Sequence, residues 1–542
     1  MEADEELGPH GDVGLEMDDG DFPGDGLNGS DDDEISSSAS ISSSSSVTTG
    51  GDFYGTSWPQ TYRQSIDMLC SVTPIDASLL ASSNLNHLNG SFRSSPPHKR
   101  DQHPEIIHSS LTEPFLPAIF DTERTSTHRL PRHSSRHSSR RLSTFDSTPL
   151  RQCSSFQATF NGINVLCGVG LLSTPYAISN GGWLSLLVLI MFCLISCYTG
   201  FLLKRCLDHT PGLSTYPDIA EAAFGKIGRL AISVTLYIEL YACCVQFITL
   251  VSDNLSYLYP HTQLSVGGIN LGTHLVFAIA AAIVILPTIC IRNLSLLSYL
   301  SAGGVVVSVL VAICLLWVGA VDGVGFHPGG TALEIANFPV AIGIYGFCFS
   351  GHTLFPNIYS SMKKPEQFPV VLIVSFFTCL ILYAGVAVTG FLMFGSLVNS
   401  QFTLNLPHQF MASKIAVWTT VINPFSKYAL MMTPVALGIE ELMPRRQGRS
   451  HFMLLLIPRM TLVISTLVVA LTVPFFGFVM AFLGSFFTML VTFIFPCACY
   501  LSIMRGSISL PQVVTCSVIM MVGFVCACVG SYTAIMKIAD KV

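Results

Sequence analysis

The chain has 542 residues, half of them hydrophobic and only 11% charged. That charge fraction is less than half of the ~25% usual in soluble domains, which excludes an ordinary soluble globular protein. The net charge of −7 averages two unlike regions: residues 1–151 hold 23 of the 34 acids and 11 of the 27 bases, whereas residues 152–542 are net positive, with their bases in short loops between apolar runs, so no nucleic-acid footprint follows.

Residues 1–150 read as a disordered, cytosolic amino-terminal tail. Acids crowd the first 34 positions, and serines then run from Ser36 to Ser38 and from Ser42 to Ser46. Such a segment buries too little apolar surface to offset its ordering entropy. Near the first apolar run the tail turns basic, with Arg124, Arg129, Arg132, Arg136, Arg140 and Arg141. Arg140-Arg141-Leu142-Ser143 suits a basophilic kinase acting on Ser143; the competing reading is a solvated tether with affinity for anionic lipid. The start of the chain lacks the charged-then-apolar pattern of a signal peptide, so the first span is expected to act as its own insertion signal.

Residues 151–542 form the expected transmembrane domain. Eleven apolar segments, each near the ~20 residues that cross a bilayer, run roughly 155–178, 183–203, 230–251, 274–291, 294–318, 335–358, 369–393, 415–437, 453–473, 477–503 and 513–535. The predicted architecture is therefore an all-α polytopic membrane protein. Lys204, Arg205, Lys226, Arg229, Arg292, Lys363, Lys364, Arg445, Arg446, Arg449 and Arg505 all fall in alternate loops, and the other loops hold only Lys414. This asymmetry predicts a cytosolic amino terminus and a luminal carboxyl terminus. Residues 216–225 in the second loop have apolar residues at helical spacing and predict a short interfacial helix. Asn254-Leu-Ser256 is a sequon beside the membrane, whose use is doubtful there. The 17 cysteines lie mostly within apolar runs and none has zinc spacing, so neither a disulfide framework, a metal nor a cofactor is expected.

Two spans are interrupted. In the first, Cys167-Gly168-Val169-Gly170 is poor helix material, since each glycine costs about 1 kcal/mol relative to alanine, and Pro175 removes a donor soon after. In the sixth, Ile344 to Pro356 repeats the Gly-to-Pro spacing: Gly170 to Pro175 matches Gly351 to Pro356. The interruptions lie five spans apart, and an odd offset reverses orientation in the membrane. That is the pattern of a 5+5 inverted repeat whose broken helices meet at mid-bilayer. The glycines have a second reading, as small residues that only let helices pack closely.

Where a helix restarts, free N–H groups favour an anion; where one stops, free carbonyls favour a cation. A zwitterionic amino acid fits both. Its carboxylate is expected on the N–H groups around Gly168, Val169, Gly170 and Leu171, beside Cys167. Its ammonium is expected on carbonyls near Asn164 and Val165 and from Gly346 to Ser350 and Gly351, with Phe347 and Phe349 walling the side-chain pocket. The breaks carry no charged residue besides titratable His352, which favours a neutral cargo.

The same residues carry a family resemblance. Phe160-Asn161-Gly162-Ile163-Asn164, Gly168 to Tyr176, Gly181-Gly182, Tyr216-Pro217-Asp218-Ile219, Gly346 to His352 and Asn423 to Tyr428 resemble the amino acid/auxin permease superfamily, most closely its plant and fungal vacuolar, AVT-type, amino-acid transporters. The resemblance covers about residues 152–540 and leaves out the tail. It implies a LeuT-like fold with helices 1 and 6 broken, proton-linked transport of amino acids and a vacuolar or other endomembrane address.

Ionisable residues inside a membrane cost several kcal/mol and usually have partners or a task. Glu239 lies in span three, Lys427 in span eight and His352 at the span-six break. In a LeuT-like bundle both spans flank the central site. Glu239 and Lys427 are expected to approach one another or the broken helices, with the Lys427 ammonium in place of a sodium ion, which suits proton coupling. A structural ion pair, a snorkelling lysine and a packed histidine are the bland alternatives, and Arg459 is expected only to snorkel. The expected function is alternating-access transport of neutral amino acids driven by protons. The competing functions are an amino-acid-sensing receptor of the same fold, and a sodium-coupled transporter using Thr419, Thr420 and Ser426 with Lys427 turned away. No paired catalytic carboxylates or His-rich motif lie in the spans, so an enzyme is not expected.

Overall fold

The computed structural model describes Trp58, Pro59, Tyr62 and residues 153–541, apart from 267–268, 291–293 and 444–448. The rest of the expected tail, Ser143 included, lies outside the described residues.

The first apolar segment is broken in two. Helix α1 (Ser155–Leu166) starts at Ser154, whose hydroxyl accepts from the Gln157 amide, and it stops at Cys167 and Gly168, both non-helical. A 3-10 turn (Val169–Ser173) then leads into α2 (Thr174–Gly181), with Pro175 in its first turn, where a missing N–H costs nothing. The two halves are bent by 45°. Gly182 ends α2 at φ 74°, and a Cβ there would sit 2.7 Å from the Ala332 carbonyl oxygen, so only glycine fits.

Helix α3 (Ser185–His209) follows, then the long α4 (Tyr216–Leu258). A capping box between Thr215 and Asp218 opens α4, and Gly225, at φ 67° and ψ −160°, separates its first turns from the rest. The loop that follows holds one element outside the all-helical expectation, an antiparallel hairpin of β1 (Leu264–Val266) and β2 (Ile269–Leu271). Then come α5 (Thr273–Cys290) and α6 (Leu294–Ala320).

The sixth segment is again two short helices, α7 (Phe338–Cys348) and α8 (Phe355–Ser361), with Pro356 in the first turn of the second. After α9 (Phe368–Phe394) come α10 (Met411–Leu442), with Pro424 and Pro434 inside it, and α11 (Arg449–Thr472). The tenth segment is α12 (Phe476–Leu483) and α13 (Phe495–Ile503) joined by a π-helical stretch (Gly484–Ile494), and α14 (Leu510–Ala539) completes the chain.

Six described helices are long and apolar enough to cross a membrane, or seven when the bent first pair counts as one span. Several present an outward apolar stripe at helical spacing. On α14, Val514, Val518, Met521 and Val525 are all more than half exposed. That surface is unfavourable in water at about 25 cal/mol per Å² and belongs against lipid.

The two broken segments run antiparallel. Cys153, just before α1, pairs with the chain leaving α8: its amide donates to the Ser361 carbonyl and its carbonyl accepts from the Lys363 amide. At the other end, a Cβ on Gly181, the last residue of α2, would lie 2.8 Å from the Ala341 Cβ near the start of α7. The face where α1 begins and α8 ends is called the tail side below.

Two polar groups are tied into the packing, one of them, Arg459, against expectation. Arg459 does not snorkel: its Nε donates to Glu440 at 2.6 Å and its Nη1 to the Ile289 carbonyl at 2.8 Å, tying α11 to α10 and α5. Asn254 is fully buried, donating to the Leu250 carbonyl and to Gln401 Oε1, and accepting from Thr403. A side chain so enclosed is no glycosylation acceptor.

Candidate functional site

A helix end leaves peptide groups without intrahelical partners, and at membrane depth these survive only inside protein or along a cavity. The two breaks meet this condition together. A Cβ on Gly170 would lie 3.1 Å from Cys348 Sγ, and one on Gly351 would lie 2.9 Å from Leu166 Cδ2. Each break therefore packs on the other through a glycine.

Between them lies a cavity of about 90 Å³. Of the residues expected at the site, Asn164, Val165, Gly168, Val169, Gly170, Phe347, Ser350, Gly351, Glu239 and Lys427 line it. Both charged residues are deeply buried, Glu239 at 5% exposure and Lys427 at 6%. They do not hold each other. Glu239 Oε1 accepts from Ser350 Oγ at 2.6 Å, in the span-six break, and from Thr488 Oγ1 at 3.3 Å. Lys427 Nζ donates to the Cys167 carbonyl at 3.1 Å, in the span-one break. A cation at the carbonyl end of a half-helix also answers its dipole. Gly304 of α6 makes room for this contact, since a Cβ there would lie 2.3 Å from Asn164 Oδ1 and 3.2 Å from Lys427 Cε.

Thr488 belongs to the π-helical stretch of the tenth segment, a feature that often marks functional positions. Its wider turn packs against α7 without side chains between: a Cβ on Gly484 would overlap the Gly343 carbonyl at 1.8 Å.

Five expected residues do not line the cavity. Cys167 contributes its carbonyl, but its thiol points at Cys379 Sγ, 3.4 Å away. Leu171 faces a separate cavity of about 20 Å³ behind the break, with Ser308, Thr420 and Asn423. Gly346 lies against the π-helical stretch, where a Cβ would meet Met489 and the Gly484 carbonyl. Phe349 packs between Phe376 and Tyr383, with ring centroids 5.9 and 5.6 Å away. His352 is fully buried against α3, 2.9 Å from Thr199 Oγ1 and 3.1 Å from the Ser196 carbonyl. The reason is common to the last two: past Cys348 the chain is not helical, so helical phase does not carry over from Phe347.

The carbonyls expected to bind an ammonium near Gly346 are also partly taken. Those of Gly346 and Phe347 accept from the Phe349 and Ser350 amides and close the end of α7. The anionic group at this side of the cavity is instead Glu239 of α4, held there by Ser350 of the sixth segment.

The sequence reading missed Leu166, Leu240, Cys243, Phe247, Thr353, Leu354, Leu430 and Met431. A signal existed for four of these. Cys243 and Phe247 lie four and eight residues beyond Glu239, and Leu430 and Met431 lie three and four beyond Lys427, so each set shares one helical face with its charged anchor.

Residues 151–536 match the family described as "Transmembrane amino acid transporter protein". The chain is 51% identical to amino acid transporter AVT1B of Arabidopsis thaliana over 90% of either chain. It is 50% identical to AVT1C of the same plant, again over 90% of either chain. A vesicular inhibitory amino acid transporter of Xenopus laevis is 27% identical over 70% of this chain and 76% of its own. Among solved structures, MhsT in complex with L-phenylalanine covers 71% of this chain and 99% of its own at 13% identity and a TM-score of 0.44, too loose a likeness to carry an argument.

Proposed function

The chain belongs to the transmembrane amino acid transporter family, in the AVT-type branch of the amino acid/auxin permease superfamily, and is a multi-pass membrane transporter of amino acids and not an enzyme; from this premise we propose that it moves neutral amino acids by proton-coupled alternating access. The observation that carries the proposal is the cavity between the two breaks. It is lined by one carboxylate and one ammonium, each bound to a different break.

A zwitterion places its carboxylate at the restarting helix, on the N–H groups of Val169 and Gly170 and near Lys427. Its ammonium sits toward Glu239. Among the described residues nothing else charged lines the cavity, so the cargo side chain meets Leu240, Cys243, Phe247, Phe347, Leu430 and Met431, which suits an apolar or small neutral group. Among the described residues Glu239 is bound by hydroxyls alone, so a proton can neutralise it without breaking an ion pair, and it is the proposed proton carrier. His352 is dropped from that role because it faces α3. Lys427 supplies the fixed positive charge at the end of α1 that a sodium ion would otherwise bring. Sodium coupling through Thr419, Thr420 and Ser426 required Lys427 to point away, whereas it reaches the Cys167 carbonyl.

In this proposal the eleven segments all cross the membrane, in a LeuT-like 5+5 inverted repeat supported by the antiparallel course of the broken spans. The loop bases support a cytosolic amino terminus and a luminal carboxyl terminus, and the family resemblance supports the vacuolar membrane. The test is uptake into sealed vesicles holding the purified protein, with an imposed pH difference, across the twenty amino acids, with and without sodium. Uptake of neutral amino acids that follows the pH difference and ignores sodium is the expected result. Uptake that needs sodium and ignores the pH difference overturns the coupling.

A further inference from the structure

Outside the cavity, on its tail side, the amino-terminal segment touches the membrane domain at a built seat. The Trp58 indole N–H donates to the Gly438 carbonyl of α10 at 2.9 Å. The Pro59 carbonyl accepts from Arg229 of α4 at 2.8 Å, and the same guanidinium holds Asp218 at 2.9 Å and Glu221 at 2.7 Å. Tyr62 is 1% exposed. The rings of Trp58 and Tyr62 both meet Tyr237 of α4, with centroids 5.5 and 5.9 Å away. Gly438 is shaped for this arrangement, because a Cβ there would lie 2.8 Å from the Tyr237 ring. Without a side chain in the way, Tyr237 lies over the glycine and the indole reaches its carbonyl.

We propose that Trp58, Pro59 and Tyr62 form an intramolecular docking element that seats on the tail-side ends of α4 and α10 and restrains transport from there. The seat joins three pieces: the first turns of α4 before Gly225 through Asp218 and Glu221, the body of α4 through Arg229 and Tyr237, and α10 through Gly438. Both helices also wall the cavity, α4 with Glu239 and Leu240, α10 with Lys427, Leu430 and Met431. Gly438 lies seven residues past Met431, so the indole docks about 10 Å to the tail side of the cavity wall. Alternating access opens one end of the cavity while closing the other, and a clasp across the tail-side ends of two wall helices opposes opening there. Its occupant is an aromatic-proline segment from the chain's own tail, and the pairing of a ring-lined notch with an indole donor and a proline carbonyl defines the peptide the seat accepts.

The docking stands without the transport reading; the restraint rests on it. The test uses the full chain in vesicles, with hydrogen–deuterium exchange and uptake measured on the same preparations. The expected result is that amides between 58 and 62 exchange at least tenfold more slowly than neighbouring tail amides, and that Trp58→Ala removes this protection. Turnover then rises severalfold at unchanged KM. Trp58→Phe, which keeps the ring and loses the N–H, falls between. A synthetic peptide of residues 56–66 added to the Trp58→Ala protein restores the slower turnover. Uniformly fast exchange in the unaltered chain overturns the docking. Lost protection with unchanged turnover overturns the restraint. Protection without uptake in any variant upholds the docking and instead defeats the transport reading.

Discussion

The two helix breaks meet the same physical problem, bare peptide groups at membrane depth, in different ways. In the first, the Gly168 and Leu171 amides turn back on the Leu166 and Gly168 carbonyls, Val165, Val169 and Gly170 line the cavity at a stop and a restart, and Lys427 of α10 takes the Cys167 carbonyl. The second closes on itself, because the Phe349 and Ser350 amides take the Gly346 and Phe347 carbonyls, and it meets the cavity with a side chain, Ser350, that holds Glu239 of α4. One break therefore meets the cavity with backbone answered by a lysine, and the other with a hydroxyl that holds a borrowed carboxylate.

The contrast is most exposed at Lys427. Lys427→Met leaves the Cys167 carbonyl without its cation, and uptake is expected to fall at least a hundredfold, a loss of about 2.7 kcal/mol in transition-state terms. Lys427→Arg, longer and forked, restores little of it. If the methionine variant transports normally while folding to the same thermal stability, the first break does not depend on α10.

Glu239→Gln keeps the hydroxyl contacts and removes the titratable carboxyl. Its expected signature is uptake that no longer follows the pH difference, with proton-driven flux down roughly thirtyfold, while exchange of internal for external cargo at equal pH persists. Unaltered pH dependence in this variant would move the proton to another group.

Ser350→Ala tests the second break alone. A hydrogen bond to a charged group contributes about 1.5–3 kcal/mol when buried, part of which Thr488 retains, so KM is expected to rise about fivefold with pH dependence intact. The smallest effect is expected at His352. His352→Gln retains a polar contact to Thr199 or Ser196 and does not face the cavity, so transport should stay within about twofold, any cost appearing as a lower unfolding temperature. A loss of proton coupling there would return the histidine to the site.

Much of this was legible along the chain. Gly168, Gly170 and Pro175, and Gly351 and Pro356, signal interruptions by their own backbone chemistry, and both segments are interrupted there. Glu239 and Lys427 stood out because charge is costly in an apolar run, and both reach the cavity. Phe349 and His352 were assigned to the cavity by proximity to a break, and they turn away from it. Arg459 looked like a snorkelling surface base and is a buried strut to Glu440. Trp58 and Tyr62 sit in a polar, low-complexity tail where nothing local marks them, because their partners, Arg229, Tyr237 and Gly438, are more than 160 residues away.

The division follows from the range of the forces. Hydrophobic run length, glycine and proline conformational preference, and the cost of an isolated charge are properties of a residue and its near neighbours, so the order of the chain alone determined the apolar segments, the two interruptions and the two charges that line the cavity. Which way each helix is rotated about its axis, which carbonyl Lys427 reaches, and whether a turn spends its amides on itself depend on the packing of segments distant in sequence. Only the folded assembly, through contacts such as Gly170 on Cys348 and Gly304 beside Asn164, decided those.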